Sequence, residues 1–317
     1  MRKQEKEMMG LIAMERIAAV VVTYNRKDLL QQCIHSILDQ EEIACDVLVV
    51  DNASTDGTQQ AMEQWAEPRV RYRNTGQNLG GAGGFNFGMR WAVEAGYDYV
   101  WIMDDDTIPQ PDALKQLWSA HEQLNGRYGF VSSVVLWKDG KECRMNRQKI
   151  KKSFYEHVEL LRYGIVQIEQ ATFVSLFFPA AVICQAGLPI KEFFIWGDDL
   201  EYTRRISCRL GMDCYAVGKS IVIHMMQSNN GASLSTDVPE RIERYRYAYR
   251  NENYTYRKEG IKGMLYYLAR SGRELMRILL HSPDHKAKRS MVLIRSVFGG
   301  FAFCPGIESV SRPTAKQ

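Results

Sequence analysis

The first hundred residues alternate between short apolar runs and amphipathic stretches, and this alternation restricts the fold more than any other feature. "IAAVVVTY" (17–24) is a continuous Val-rich run, as expected of a strand covered on both faces. "KDLLQQCIHSILDQ" follows, with Leu30, Ile34, Ile37 and Leu38 at helical spacing. "DVLVVD" (46–51) reads as the next strand, and "STDGTQQAMEQWAE" as a helix opened by a Ser/Thr/Asp cluster. "VRYRN" (70–74) is a short strand, a glycine-rich turn leads to a helix around "FNFGMRWAVEAG", and "YVWIMD" (99–104) is a fourth strand. The β-α-β-α-β-α-β order predicts an α/β fold with an open, mostly parallel twisted sheet flanked by helices.

Ligands of such sheets bind outside the carboxyl ends of the strands. Three polar clusters fall at those ends: Thr23-Tyr24-Asn25-Arg26, Asp51-Asn52-Ala53-Ser54 and Asp104-Asp105-Asp106. The third is the most unusual, because adjacent carboxylates at the mouth of a sheet repel one another and lose hydration. Either the triplet is a solvated acidic turn or a cation normally offsets it. Asp104 and Asp106 can share one side of the chain while Asp105 points to the other. Two such carboxylates suit Mg²⁺ or Mn²⁺ together with phosphate oxygens.

Other motifs carry two readings each. In "FFIWGDDLEY" (193–202), Asp198 and Asp199 can cap the following helix, or one can act as a general base near apolar surface. Phe193, Phe194 and Trp196 are either core or a sugar-stacking wall. "NLGGAGGFNFG" (78–88) does not fit the dinucleotide pattern G-x-G-x-x-G, and its glycines suit a tight turn or close approach to a diphosphate. His224 ends the apolar run "SIVIH", at another expected strand end, as a structural residue or a metal ligand.

Bulk properties exclude some classes. A formal charge of +4 is too mild to favour nucleic acid, and the glycine pattern speaks against a dehydrogenase. Seven cysteines stand singly, with no CxxC pair, so a reducing compartment is expected over a disulfide framework or zinc site. The apolar run "MMGLIAM" near the N-terminus stops at Glu15 and Arg16 and makes a poor signal peptide. No apolar stretch is long enough for a spanning helix. Residues 137–170 are charged and weakly periodic, and read as an excursion or hairpin. The polar segment between His224 and Pro239 suits a mobile flap.

Taken in order, "VVVTYNR", "VVDNASTDGT", "NLGGAGGFNFG", "MDDDTIPQPD", "WGDDLEY", "VIHM" and "YRNENYTYRK" resemble the family 2 glycosyltransferases of the GT-A fold, especially the branch of galactofuranosyl- and rhamnosyltransferases. The motifs span roughly residues 17 to 258. The resemblance implies a nucleotide-sugar donor, a glycan or lipid-linked acceptor, an inverting reaction in surface polysaccharide assembly, and Mn²⁺ or Mg²⁺ as cofactor. Residue by residue, it implies that Tyr24, Arg26, Asp51, Asn78, Gly81 and Asp105 lie on the nucleotide-sugar side. Asp104, Asp106 and His224 would hold the metal, Asp199 would be the catalytic base with Asp198 beside it, and Trp196 would line the acceptor cleft. The chain departs from the galactofuranosyl pattern in "KEFF" and "MMQSNN", where that branch often carries tryptophan. UDP-galactofuranose is the first expectation for the donor and dTDP-rhamnose the second. The alternative, an inactive nucleotide-binding homologue, is disfavoured by the presence of Asp104, Asp106, Asp199 and His224.

The expected division is a nucleotide-sugar-binding and catalytic part over 1–225 and an acceptor flap with a basic helical region over 226–317. Within the latter, "MLYYLARSGRELMRILL" places Leu265, Leu268, Leu275 and Leu279 roughly on one side of a helix. Two readings stand: that side packs on the catalytic part, or it attaches a cytoplasmic enzyme peripherally to the anionic inner leaflet of the membrane.

Overall fold

The computed structural model describes residues 15–229, 231 and 233–313. The apolar run at 8–14 lies outside the described residues.

The parallel block forms where the apolar runs are longest. β1 (Ile17–Thr23) is buried along its whole length. It pairs in parallel with β2 (Asp46–Asp51) on one side and β4 (Tyr99–Asp104) on the other, and β3 (Val70–Asn74) completes the edge beside β2. Alternate β1 side chains serve opposite faces. Ala18, Val20 and Val22 join one core with α3 (Gly80–Glu94), and Ile17, Ala19 and Val21 join the other with α1 (Lys27–Leu38) and α4 (Ala113–Gln123). A short α2 covers only Thr58–Glu63 of the longer stretch expected to be helical.

The glycine-rich segment is a correction to the sequence reading. Rather than forming a turn before the helix, its glycines build the first turns of α3. An added Cβ at Gly84 would sit 2.4 Å from Val22 Cγ1, and one at Gly88 would sit 2.4 Å from Val20 Cγ1. Helix propensity is overridden here because only glycine lets α3 lie this close to β1.

Beyond β4 the sheet becomes mixed. Its order is β3-β2-β1-β4-β9-β6-β10-β8-β7, with β5 paired to β10. β9 (Leu176–Pro179) lies antiparallel between β4 and β6 (Val131–Trp137), and β10 (Cys214–His224) runs parallel to β6. The segment expected to be an excursion holds a 3₁₀ turn at Arg144–Asn146, a two-residue β7 (Lys149–Ile150), 3₁₀ turns over Lys152–Tyr163 and β8 (Ile165–Gln170). α5 (Ala180–Ala186) follows β9, and α6 (Asp198–Arg204) runs into a π-turn before Gly211.

One short pairing positions the site. Immediately after the aspartates, β5 (Thr107–Pro109) pairs antiparallel with the end of β10, placing His224 opposite Thr107. The Met225 amide also donates to the Asp106 carbonyl at 2.8 Å.

The C-terminal part is a helical layer of α7 (Tyr245–Arg257), α8 (Gly260–His281) and α9 (Lys286–Ala302). Its core gathers Leu234, Ile242, Tyr245, Tyr249, Ile278 and Leu293, with Trp196 packed against them. Within the segment expected to be a mobile flap, Leu234 packs into this layer: it is fully buried, and its carbonyl accepts from Arg289 Nη1 at 2.7 Å. Residues 303–313 then return to the main sheet, where Val310 enters the core and Glu308 pairs with Arg90 and Lys191. On α8, Leu275 packs against the core of this helical layer but Leu265, Leu268 and Leu279 are exposed, so of the two readings the packing of that side on the catalytic part does not hold for these three. No helix among the described residues is long and apolar enough to cross a membrane.

Candidate active site

The acidic triplet splits as its alternation requires. Ligand atoms of Asp104, Asp106 and His224 lie within 4.8 Å of one another. Asp105 turns away, accepting from Thr23 Oγ1 at 2.7 Å and from Arg26 Nη1 at 3.1 Å. Arg26 also reaches Asp106, with Nη1 2.6 Å from Oδ2. A residue on the first strand's loop therefore neutralises part of the charge at the end of the fourth.

The electrostatics indicate a shortage of positive charge. Burial, reinforced by the Asp106 carboxylate, pushes Asp104 up to about 7, and burial pushes Asp105 up to about 6. Burial acts against ionisation of Asp106 too, but the bond to His224 and the Arg26 charge hold it below the usual carboxylate range. Burial alone would lower His224; its bonds to Asp106 and Cys143 raise it instead to about 10. Two oxygen ligands and one imidazole nitrogen around a common point suit Mn²⁺ or Mg²⁺, so the residues fit the implied ion.

Asn146 completes this centre, and sequence reading missed it. Its Oδ1 lies 2.8 Å from His224 Nδ1, while its Nδ2 donates to Thr172 Oγ1 at 2.8 Å. The only sequence signal is a lone Asn in a charged, weakly periodic segment.

The acid pair opens α6 after a strained loop. Phe194, Trp196 and Gly197 all have positive φ, at 65°, 64° and 85°. Asn251, fully buried on α7, holds that loop: its Nδ2 donates to the Phe193 carbonyl at 3.0 Å and the Trp196 carbonyl at 2.7 Å. Gly80 presses on the same loop, and a Cβ there would lie 2.0 Å from the Phe194 carbonyl oxygen. Gly197 takes the cap position, leaving Asp198 and Asp199 in the first turn, where Asp199 Oδ1 accepts from the Leu200 amide at 2.6 Å. Burial pushes Asp199 up to about 6. Burial, then the charges of Asp199 and Asp104, push Asp198 well up, which ties the acid pair electrostatically to the metal-type cluster.

Of the aromatic residues, Phe193 is fully buried against Tyr254 and Phe303, which decides for the core reading at that position. Phe194 lies against Tyr247, and the ring of Trp196 packs 4.9 Å from that of Tyr245.

On the opposite flank, Tyr24 is exposed at the end of β1. Asp51 is fully buried: Oδ1 accepts from Ser54 and Oδ2 from the Tyr72 hydroxyl at 2.6 Å. It thus braces this flank, and a ligand group reaching its carboxylate would have to replace one of those bonds. Asn78 is exposed and its Oδ1 accepts the Gly80 amide at 2.8 Å; Gly81 faces open space. A cavity of about 1000 Å³ reaches Arg26 and Asp106 and is walled by Met226, Gln227, Asp237 and Arg241. That is ample for a small-molecule site.

A parallel block ending in a carboxylate–imidazole cluster, next to an acid pair and a large cavity, defines the class of GT-A glycosyltransferases, and solved structures agree. The chain is similar to a mannosyltransferase from Pyrobaculum calidifontis, solved with GDP-Man and Mn²⁺, over 90% of this chain and 75% of that one, with a TM-score of 0.55 and 18% identity. It is also similar to TarS of S. aureus, with a TM-score of 0.53 and 13% identity over 91% of this chain, spanning 44% of that longer one. Residues 18–181 match glycosyl transferase family 2, and the chain belongs to that family; it is a glycosyltransferase. Among named relatives, it is 26% identical to galactofuranosyltransferase GlfT1 of Mycolicibacterium smegmatis, covering 79% of this chain and 86% of that protein. It is 37% identical to an undecaprenyl-phosphate mannosyltransferase of Micrococcus luteus over a third of its length, covering 33% of this chain and 44% of that one.

Proposed function

We propose that this glycosyltransferase moves a hexosyl group, with inversion, from a nucleoside-diphosphate sugar to a hydroxyl of a glycan or lipid-linked acceptor in surface polysaccharide assembly. UDP-galactofuranose is the first candidate donor, supported by the similarity to GlfT1 over most of both chains, and dTDP-rhamnose is the second. The observation that carries the reading is the convergence of Asp104, Asp106 and His224 near the acid pair of a buried Asp198 and a half-buried Asp199.

In this scheme Asp104, Asp106 and His224 hold Mn²⁺ or Mg²⁺, which when bound supplies electrostatic neutralisation of the donor diphosphate. Arg26 adds a second cation to the same phosphates. Tyr24, Asp51, Asn78, Gly81 and Asp105 shape the nucleotide-sugar side. Residues 226–317 and Trp196 form the acceptor side of the cleft. Asp199 accepts the proton of the acceptor hydroxyl, which Asp198 orients. The acceptor oxygen bonds to the anomeric carbon as the bond from that carbon to the diphosphate oxygen breaks, and the nucleoside diphosphate leaves. With one base and no protein nucleophile, a single displacement inverts the centre.

The test is nucleoside-diphosphate release from UDP-galactofuranose, dTDP-rhamnose, UDP-glucose and UDP-galactose, with Mn²⁺ or with a chelator. Release from one of the first two, abolished by chelation, is the expected result. Equal release with chelator present, or none from any donor while UDP and Mn²⁺ still bind, would overturn the scheme.

A further inference from the structure

We propose that α8 and α9 form a landing face for an anionic lipid surface, on which the enzyme lies without crossing it. Along α8, Ile261, Leu265, Leu268, Met276 and Leu279 recur at helical spacing and are all exposed, Ile261 at 80% and Leu265 at 62%. The buried side of the same helix is a different stripe: Gly263, Tyr267, Ser271 and Ile278. α9 repeats the arrangement, with Met291, Ile294, Phe298 and Phe301 exposed, Phe298 at 69%. Both helices pack on α7 and on each other, so the two stripes belong to one layer.

A single exposed Leu on a protein surface is ordinary, but two successive amphipathic helices turning large apolar side chains outward are not. The charge pattern selects the occupant. Between residues 260 and 302 there are eight Lys or Arg and only two Asp or Glu. On α8 the cations Lys262, Arg273 and Arg277 follow the edge of the apolar stripe, and on α9 Lys288 and Arg295 do the same. Apolar residues flanked by cations match the boundary between acyl chains and anionic headgroups, with the long basic side chains reaching outward. A second copy of this chain fits poorly, because a twofold pairing through this face would set cation against cation. Neither helix is apolar enough to span a bilayer.

The experiment is co-sedimentation of the full chain with vesicles of phosphatidylglycerol and phosphatidylcholine, or of phosphatidylcholine alone. Expected is pelleting with the anionic vesicles only, weakened by salt. Leu265→Glu with Phe298→Glu should abolish it. Arg273→Gln with Arg295→Gln should weaken it on the order of tenfold. UDP binding by each variant, unchanged, shows that the fold is intact. No pelleting with anionic vesicles, pelleting equally strong with neutral ones, or pelleting that survives Leu265→Glu with Phe298→Glu would overturn the proposal. So would a dimer in sedimentation velocity that those two substitutions dissociate while vesicles bind nothing.

Discussion

His224 is held between Asn146 and Asp106: Nδ1 lies 2.8 Å from Asn146 Oδ1 and Nε2 lies 3.0 Å from Asp106 Oδ1. With Nδ1–H committed to the amide oxygen, Nε2 is the nitrogen left to face a cation. Asn146→Leu is therefore expected to weaken Mn²⁺ binding by about 10–100-fold in titration calorimetry with UDP present. Asn146→Asp keeps an acceptor at that point and should retain most of the affinity. Unchanged affinity in Asn146→Leu would show that the amide has no part in orienting the ring.

Asp199 is expected to trade stability for chemistry. Asp199→Asn should lower kcat by about 10²–10⁴-fold while UDP–Mn²⁺ affinity stays near wild type. Because burial raises the folded pKa from 3.8 to about 6, the native chain keeps a proton that the unfolded chain releases between those values. Stability from this group is thus full at low pH and lost as pH rises through about 6. Wild-type kcat should climb as pH rises through the folded value of about 6, and above that pH Asp199→Asn should melt at a higher temperature than wild type. Calorimetric scans and a kcat–pH profile check both limbs.

Arg26 offsets the acidic cluster, pairing with Asp105 and Asp106 while its side chain is 49% exposed. Arg26→Gln should cost about 1–2 kcal/mol in chelator, a figure discounted from a fully buried pair because solvent screens the guanidinium. Saturating Mn²⁺ should recover most of that loss. Urea midpoints measured with chelator and with Mn²⁺ give the comparison, and an equal loss in both conditions would contradict it.

Asn251 supplies the donors that close the strained Phe193–Gly197 loop. Asn251→Ala removes the side-chain donor from the Trp196 carbonyl, while the Phe193 carbonyl keeps the Ile195 amide, and should cost about 1–3 kcal/mol. It should also lower kcat more than it raises the donor KM, because the loop carries the acid pair and not the donor flank. Steady-state kinetics beside a denaturant melt will separate the two effects.

Legibility in the sequence followed locality. β1, β2 and β4 are buried on both faces, so their apolar runs are continuous and their order could be read directly. The mixed half could not, because β9 and β6 meet through pairings set by tertiary packing and leave no periodic mark in the chain. α3 was misplaced at its start because five glycines read as a turn until Val20 and Val22 are seen against them. Asp104, Asp106 and His224 stood out as polar residues ending apolar runs, a signal that comes from strand geometry. Asn146 carries no such signal, since only the fold brings a residue 78 positions away onto the His224 ring.

Trp196 packs, partly buried, against the core of the C-terminal helices, and Asp198 opens α6 only two positions later, across Gly197. The indole is thus an anchor in one part of the molecule and Asp199 hangs from it in another, with a single left-handed glycine as the joint. Under the proposed roles, a tilt of the helical layer would reach Asp199 through that short tether, coupling the acceptor side of the cleft to its general base.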